Sequence, residues 1–185
     1  MAERRAILQT HATYSTGTVS IALATRTTVT GVDTLWNTAV TGMGFNNTRA
    51  AGKLVFGGEP DPYTISSVAS DTSITLTDRW LGDTALTATT YRYYEDEYAL
   101  ASDFHRLVDS RTFTDAMVLP TIGRKDFYAR YPRNSQTGTP RVCTIIELGP
   151  GTTVALRPRV IFYPAPDSVI NIPYRYITTN LAVSS

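Results

Sequence analysis

The stretch 159–181, RVIFYPAPDSVINIPYRYITTNL, is the most strongly patterned part of the chain. A short apolar run, 160–163, ends at a Pro-Ala-Pro-Asp-Ser cluster typical of a turn. A second segment, 169–177, then alternates as a half-buried strand does, with Ile170, Ile172, Tyr174 and Tyr176 on one face and Asn171, Pro173 and Arg175 on the other. The pattern predicts a β-hairpin. Since Pro173 has no N–H to donate, the second strand is expected to be an edge, open to another chain, or to carry a bulge.

The composition favours an all-β protein. Threonine is abundant, tyrosine (11) outnumbers phenylalanine (6), and only 18% of residues are charged, against about 25% in an average soluble protein. β-Branched and aromatic side chains suit strands and leave polar groups for surface contacts. The net charge of +1 predicts no general attraction to nucleic acid.

Cysteine usage and hydropathy indicate the compartment. The single Cys143 excludes an internal disulfide and is expected to be a buried strand residue. No apolar run approaches about 18 residues, and no signal-peptide core follows the charged start at 1–5. These features predict a protein without a membrane span that is made and kept in a cytoplasm or assembles from there.

The turn spacing predicts a small β-module followed by a second β-rich region. Residues 1–10 have the only helical character near the N-terminus. From Thr16 onward, short strands separated by turns every 8–12 residues predict a barrel or sandwich of about five or six strands. Within it, Asp33 is expected to cap a helical turn that places Trp36 on the sheet. A short helix is predicted at 125–131, before Pro132.

Three adjacent acids, Glu95, Asp96 and Glu97, follow the module. Such a block is usually a solvated loop. The alternative is an acidic rim facing a channel that carries DNA, where like charge prevents adhesion.

Catalytic and metal-binding patterns are absent from the sequence. If a strand follows Ser102, then Asp103, His105 and Asp109 would share a face, but no further ligands or nucleophile can be named, and His105 is expected to be a polar surface residue. The chain has no P-loop, GxSxG, HExxH or paired cysteines. We therefore expect no enzyme activity, no metal and no cofactor.

Aromatic side chains leave two interpretations open. Trp36, Tyr63 and Trp80 could form a sugar-stacking platform, because flat rings pack on the apolar faces of sugars. Alternatively, Trp36 and Tyr63 belong to the core of the module and Trp80 packs under the loop that follows it.

Several fragments, taken in order, resemble the head-to-tail adaptor proteins of tailed bacteriophages. The N-terminal module resembles a small β-module that recurs in phage structural proteins, through 16–20, 27–31, 34–36, 63–65 and 73–76. The second half is similar to the adaptors in the content and order of 100–104, 127–132, 138–141, 162–167 and 174–176. The resemblance spans about residues 14 to 181 and implies an N-terminal segment (1–15), a β-module (16–94) and an adaptor region (95–185).

The resemblance implies a mechanical function in the virion. Adaptors of this family form a ring, usually of twelve copies, beneath the portal protein, extending the DNA channel and offering the tail a docking surface. This chain departs from the family in having only about ten residues before the module in place of a helical bundle. The expected contact residues are Tyr174 and Tyr176 with the tail residues Asn180, Leu181 and Val183. The alternative is a receptor-binding or fibre-attachment module that binds glycans.

Overall fold

The structure, a computed structural model, describes residues 2–109, 119–146 and 157–178. These residues are mostly β-strand, which confirms the predicted class. The elements are β1 (Glu3–Gln9), β2 (Thr18–Ile21), a 3-10 helix (Leu23–Thr25), β3 (Thr28–Val32), β4 (Lys53–Phe56), β5 (Tyr63–Ser70), β6 (Ser73–Leu76), β7 (Leu86–Thr89), β8 (Tyr91–Tyr94), β9 (Glu97–Ala99), β10 (Phe104–Asp109), α1 (Arg124–Arg130), β11 (Val142–Ile146), β12 (Arg159–Tyr163) and β13 (Asn171–Thr178).

The chain divides into two compact units. The barrel unit is Thr13–Glu95, close to the module predicted at 16–94. The sandwich unit combines Met1–Ala12 with Asp96–Ser185, so the first residues belong with the second half of the chain instead of forming a separate segment.

The barrel unit is one curled seven-stranded sheet in the order β7-β2-β3-β6-β5-β4-β8. Its two outermost strands, β7 and β8, are joined by the single residue Thr90. Because so short a link cannot cross the sheet, the sheet must curl until its two edges approach each other. The curl encloses an aromatic core formed by Trp36, Phe56, Tyr63, Trp80, Tyr91 and Tyr93 with aliphatic residues of β2 to β6.

The sandwich unit has three layers. Its two three-stranded sheets, β1-β13-β10 and β11-β12-β9, share one core that includes Leu8, Ile172 and Phe162. The helix α1 covers the other side of β11 and β12, where Phe127 packs on Ile161. Because β12 is buried on both faces, its sequence is continuously apolar, whereas β13 is buried on one face and alternates.

The predicted hairpin at 160–177 is wrong. β12 and β13 are strands as expected, but β12 pairs with β11 and β9, whereas β13 pairs with β1 and β10. The β13 strand is therefore a central strand and not an edge. Sequence proximity favours a hairpin, but the two segments have different burial requirements and belong to different layers.

Pro173 is tolerated in this central strand because of its register. It lies opposite Ile7 in β1, and the ladder bonds at the two ends of this pairing are Thr178 N to Ala2 O (3.1 Å) and Thr10 N to Ile170 O (3.0 Å). Since hydrogen-bonded pairs alternate along an antiparallel ladder, the Ile7–Pro173 pair is not hydrogen-bonded. The described pairing of β10 with β13 ends at Arg175. The missing N–H therefore costs no bond to β1.

Two local predictions of helix are also wrong. Residues 3–9 form β1, because β13 supplies a full-length partner to a segment too short for a stable isolated helix. Asp33 and Leu35 have φ angles of 56° and 49°, which excludes a capped helical turn. Trp36 is nevertheless fully buried as expected. The helix predicted at 125–131 is confirmed as α1, one residue earlier.

Candidate functional site

The tyrosines predicted as contact residues are buried in the sandwich unit. Tyr174 and Tyr176 are 5% and 4% exposed, so their assignment to an exposed interface is wrong. Their hydroxyls are satisfied internally: Tyr176 donates to Asp103 Oδ1 (2.7 Å), and Tyr174 accepts from the N–H of Ala101 (2.8 Å). Alternation identified the two faces of β13 correctly, but a tyrosine can cover a core as well as a surface.

Asp103 connects all three strands of its sheet. It directly precedes β10, and it accepts hydrogen bonds from Thr178 Oγ1 (2.7 Å) and Tyr176 on β13 and an ion-pair contact from Arg4 on β1 (2.9 Å). The hydroxyls of Thr178 and Tyr176 hold the pKa of this carboxyl below its usual value. Hydrogen bonding to the same carboxylate raises the pKa of Tyr176. This cluster joins distant segments of the sequence and has an evident structural role.

The structure does not bring Asp103 and His105 to one face. Asp103 is buried, whereas His105 is exposed as the extra residue of a bulge between Phe104 and Arg106. The side chain of Asp109 lies outside the described residues. Among the residues that the structure describes, no group of His, Cys, Asp or Glu could hold a metal ion.

The acidic block is not a solvated rim. Glu95 and Asp96 are 5% and 2% exposed. Arg49 donates to both carboxylate oxygens of Glu95 at 2.6 Å, and Tyr93 donates to the same group. Burial and the charge of Glu95 raise the pKa of Tyr93 well above its usual value. The assignment of Glu95 as a channel-facing acid is therefore wrong.

The other two acids also have partners. Asp96 Oδ2 accepts from Asn134 Nδ2 (2.9 Å), and that amide also donates to the carbonyl of Phe162 (2.8 Å). Glu97 is partly exposed and pairs with Arg159 (3.1 Å). A channel-facing role is therefore wrong for Asp96 and is not supported for Glu97. Sequence reading missed these interactions because each partner lies tens of residues away along the chain.

The proposed sugar-stacking platform is buried. Trp36, Tyr63 and Trp80 are 0%, 8% and 2% exposed, as the core interpretation expected. The rings of Tyr63 and Trp80 are adjacent, with centroids 5.5 Å apart, but they pack inside the barrel unit. The glycan-binding alternative loses the residues on which it was based.

Cys143 is buried in β11 as predicted, and it contacts an apolar cavity in the sandwich unit. The cavity measures about 20 Å³ and has walls that include Leu8, Leu100 and Ile172. A void of this size holds no more than a water molecule, and its apolar walls offer that water no hydrogen bonds. We interpret it as a packing defect of the core.

The outer edge of β1 has no strand partner among the described residues of the sandwich unit. Hydrogen-bonded and non-hydrogen-bonded pairs alternate along the β1–β13 ladder. The N–H and C=O groups of every second residue therefore point away from β13, and these residues are Glu3, Arg5, Ile7 and Gln9. All four side chains are exposed, and Ile7 is 65% exposed. The strand pairs regularly with β13, with seven consecutive residues in register and no bulge.

The other long edges of this unit are protected. β10 carries two register shifts within six residues, which bend it away from a regular pairing geometry. The outer edge of β11 is already bonded at Cys143, which donates to Pro120 O (3.0 Å) and accepts from Ile122 N (2.9 Å). Sequence reading missed β1 because its edge is created by pairing with β13, and only the weak alternation of Ala6 and Leu8 with polar residues indicated a strand.

The tail residues Asn180, Leu181 and Val183 lie outside the described residues, so their predicted contact role stays a prediction. No helix in the described ranges is long and apolar enough to cross a membrane. Comparison with known proteins found no matching family model, no matching characterised protein and no matching solved structure.

Proposed function

We propose that this chain is a structural virion protein of a tailed bacteriophage, an adaptor that forms a ring between the portal protein and the tail. The ring would extend the channel through which genomic DNA passes without sequence-specific binding. The chain would be made in the bacterial cytoplasm and would end at the head–tail junction. The ordered resemblance along 14–181 suggests this role, and twelve copies are the expected number.

The observation that carries the proposal is the open edge of β1. A regular edge with outward N–H and C=O groups can accept a strand from a neighbouring structural protein, and main-chain bonds then supply affinity. In a ring, each copy would repeat this contact, so modest affinities per subunit would combine. We assign the β1 edge to a portal or tail partner.

The location of the chain tests the proposal directly. Purified virions would be labelled with an antibody to this chain carrying gold and viewed by negative-stain electron microscopy. We expect label at the junction of head and tail. Label at the fibres, or virions that lack the protein, would contradict the adaptor function.

The role of the β1 edge is tested by Ile7→Pro. This change removes an N–H that points away from β13, so the β1–β13 ladder keeps its bonds. We expect a folded protein that is not incorporated into particles. Ile7→Ala, which retains the N–H, should be incorporated.

Ala6→Pro provides the opposite control. The N–H of Ala6 faces β13, so its loss breaks a ladder bond and should cost about 1–3 kcal/mol of stability. Incorporation of Ile7→Pro at the level of the unmodified protein would exclude β1 as the docking edge.

A further inference from the structure

A basic cleft with an aromatic floor lies beside the C-terminal end of α1. Its floor is formed by the stacked rings of Tyr131 and Tyr163, whose centroids are 3.7 Å apart with 18° between their planes. Arg130 and Arg133 line the cleft, which measures about 480 Å³. The cleft is open to solvent, so it is accessible to a side chain that protrudes from another surface.

Basic residues outnumber acidic ones in the segment that contributes most of the cleft. Residues 124–133 contain four basic side chains and one acid, Asp126. Arg141 is exposed next to the floor, where its N–H donates to the carbonyl of Tyr163 (2.8 Å). An anionic group could pair with the arginines of this cleft, and an apolar centre could pack on its tyrosine rings.

The barrel unit carries such a group at one end. The loops 57–62 and 77–85 meet there, because Thr77 N donates to Thr64 O (2.8 Å) and the Trp80 ring packs on Tyr63. Leu81 projects from the second loop and is 68% exposed, more than any other large apolar side chain in the described residues. Four acidic residues, Glu59, Asp61, Asp78 and Asp83, and one basic residue, Arg79, belong to the same two loops, and the guanidinium of Arg26 bonds to the second loop.

The loop holds Leu81 in a fixed position. Arg26 Nη1 donates to the carbonyls on both sides of it, Trp80 O (3.2 Å) and Gly82 O (3.1 Å). A Cβ at Gly82 would lie 2.3 Å from the Trp80 ring, so glycine allows the loop to lie directly on that ring. A loop whose backbone is already held in place loses little conformational entropy on binding.

We propose that Leu81 and the carboxylates of the two loops at its end of the barrel unit dock into the Arg130–Arg133 cleft of the next copy. This inference rests on the proposed ring. The barrel unit has seven acidic and five basic residues, whereas the sandwich unit has nine acidic and twelve basic residues. A second copy therefore offers the complementary charge. The contact joins two different surfaces, so it is heterologous and closes into a ring when its rotation allows.

A charge swap tests the contact. One variant, Arg130→Glu/Arg133→Glu, reverses the charge of the cleft. The other, Asp78→Lys/Asp83→Lys, reverses the charge of the loop 77–85, which carries Leu81. Sedimentation velocity would measure association of the full chain at about 50 mM and about 500 mM salt. The unmodified protein is expected to associate at low salt and to weaken as salt rises, because screening acts on exposed charges.

Each variant alone should remain monomeric, since like charges would face each other. An equimolar mixture should associate again, because each variant then meets an opposite charge on the other. Failure of the mixture to associate, or a monomeric unmodified protein at low salt, would overturn the proposal.

Leu81→Asp tests the apolar centre. We expect the dissociation constant to rise at least about tenfold. Val32→Asp is the matched control, since Val32 is 63% exposed at the opposite end of the same sheet and should leave association unchanged. If gold label lies at the junction but the charge swap fails, this contact is wrong and the adaptor function stands. If the charge swap succeeds but virions carry no label, the contact between copies stands and the adaptor function is wrong.

Discussion

The two units differ in which parts of the chain form their cores and in which side chains fill them. The barrel unit is continuous in sequence and buries large aromatic rings whose polar atoms meet nearby partners, such as Trp36 Nε1, which donates to Tyr91 Oη (2.8 Å). The sandwich unit joins both ends of the chain, and its first sheet converges on the carboxylate of Asp103. Both units bury a paired carboxylate, but that of Glu95 joins residues within one continuous segment, whereas that of Asp103 joins strands from both ends of the sandwich unit's sequence.

The largest expected effect on stability comes from removing a large side chain from the core of one unit. Trp36→Ala should destabilise the barrel unit by about 3–5 kcal/mol, because it empties the centre of the aromatic core. The remaining Trp80, which lies in the same unit, reports the loss by fluorescence. Hydrogen exchange should show that β13 remains protected. Simultaneous loss of protection in β13 would show that the units unfold together.

Removing one hydroxyl probes the charge-centred cluster. Tyr174→Phe removes an acceptor of a backbone N–H and should cost about 1 kcal/mol in thermal unfolding. Tyr176→Phe removes a donor to a carboxylate and should cost more, because hydrogen bonds to charged groups are stronger. Equal effects would contradict a special role for Asp103.

Acid should act on the sandwich unit through the same carboxylate. The pKa of Asp103 is lower in the folded state than its ordinary value of 3.8. Its contribution to stability is therefore present above about pH 4 and is lost as the pH falls through the lowered pKa. Hydrogen exchange in β1 and β13 should increase over this window, whereas the fluorescence of the barrel unit should change less. Asp103→Asn should remove this part of the pH dependence.

The smallest effect is expected at an exposed ion pair of the sandwich unit. Arg175 and Glu3 are 3.5 Å apart, with side chains 67% and 47% exposed. Because such pairs are screened by water and salt, Arg175→Gln should change stability by less than about 0.5 kcal/mol. A larger loss on denaturant unfolding would indicate that this face of the sheet is more ordered than its exposure suggests.

The sequence predicted local patterns better than pairing. Local periodicity, which depends on residues only a few positions apart, predicted the strand at 169–177 and its two faces. It also predicted the helix before Pro132. Strand partners do not, because the register of Glu3 with Ile177 depends on matching surfaces at opposite ends of the chain. The hairpin prediction failed for this reason.

Charge patterns were misread for a related reason. Three adjacent acids are exposed to solvent in most proteins. Here the buried carboxylate of Glu95 accepts from Arg49 and that of Asp96 accepts from Asn134, and neither partner is adjacent in sequence. The accessible features, the β1 edge and Leu81, were also missed. An edge exists only once a sheet is assembled, and the exposure of one leucine depends on the brace from Arg26.

The pairing of β1 with β13 has a consequence for synthesis on the ribosome. β1 is translated about 170 residues before its partner β13, an interval on the order of ten to thirty seconds at common rates of chain elongation. The barrel unit is complete long before then and can fold as the nascent chain grows. During this interval β1 lacks both its partner and its place in a sheet, so the sandwich unit can form only after β13 has been translated.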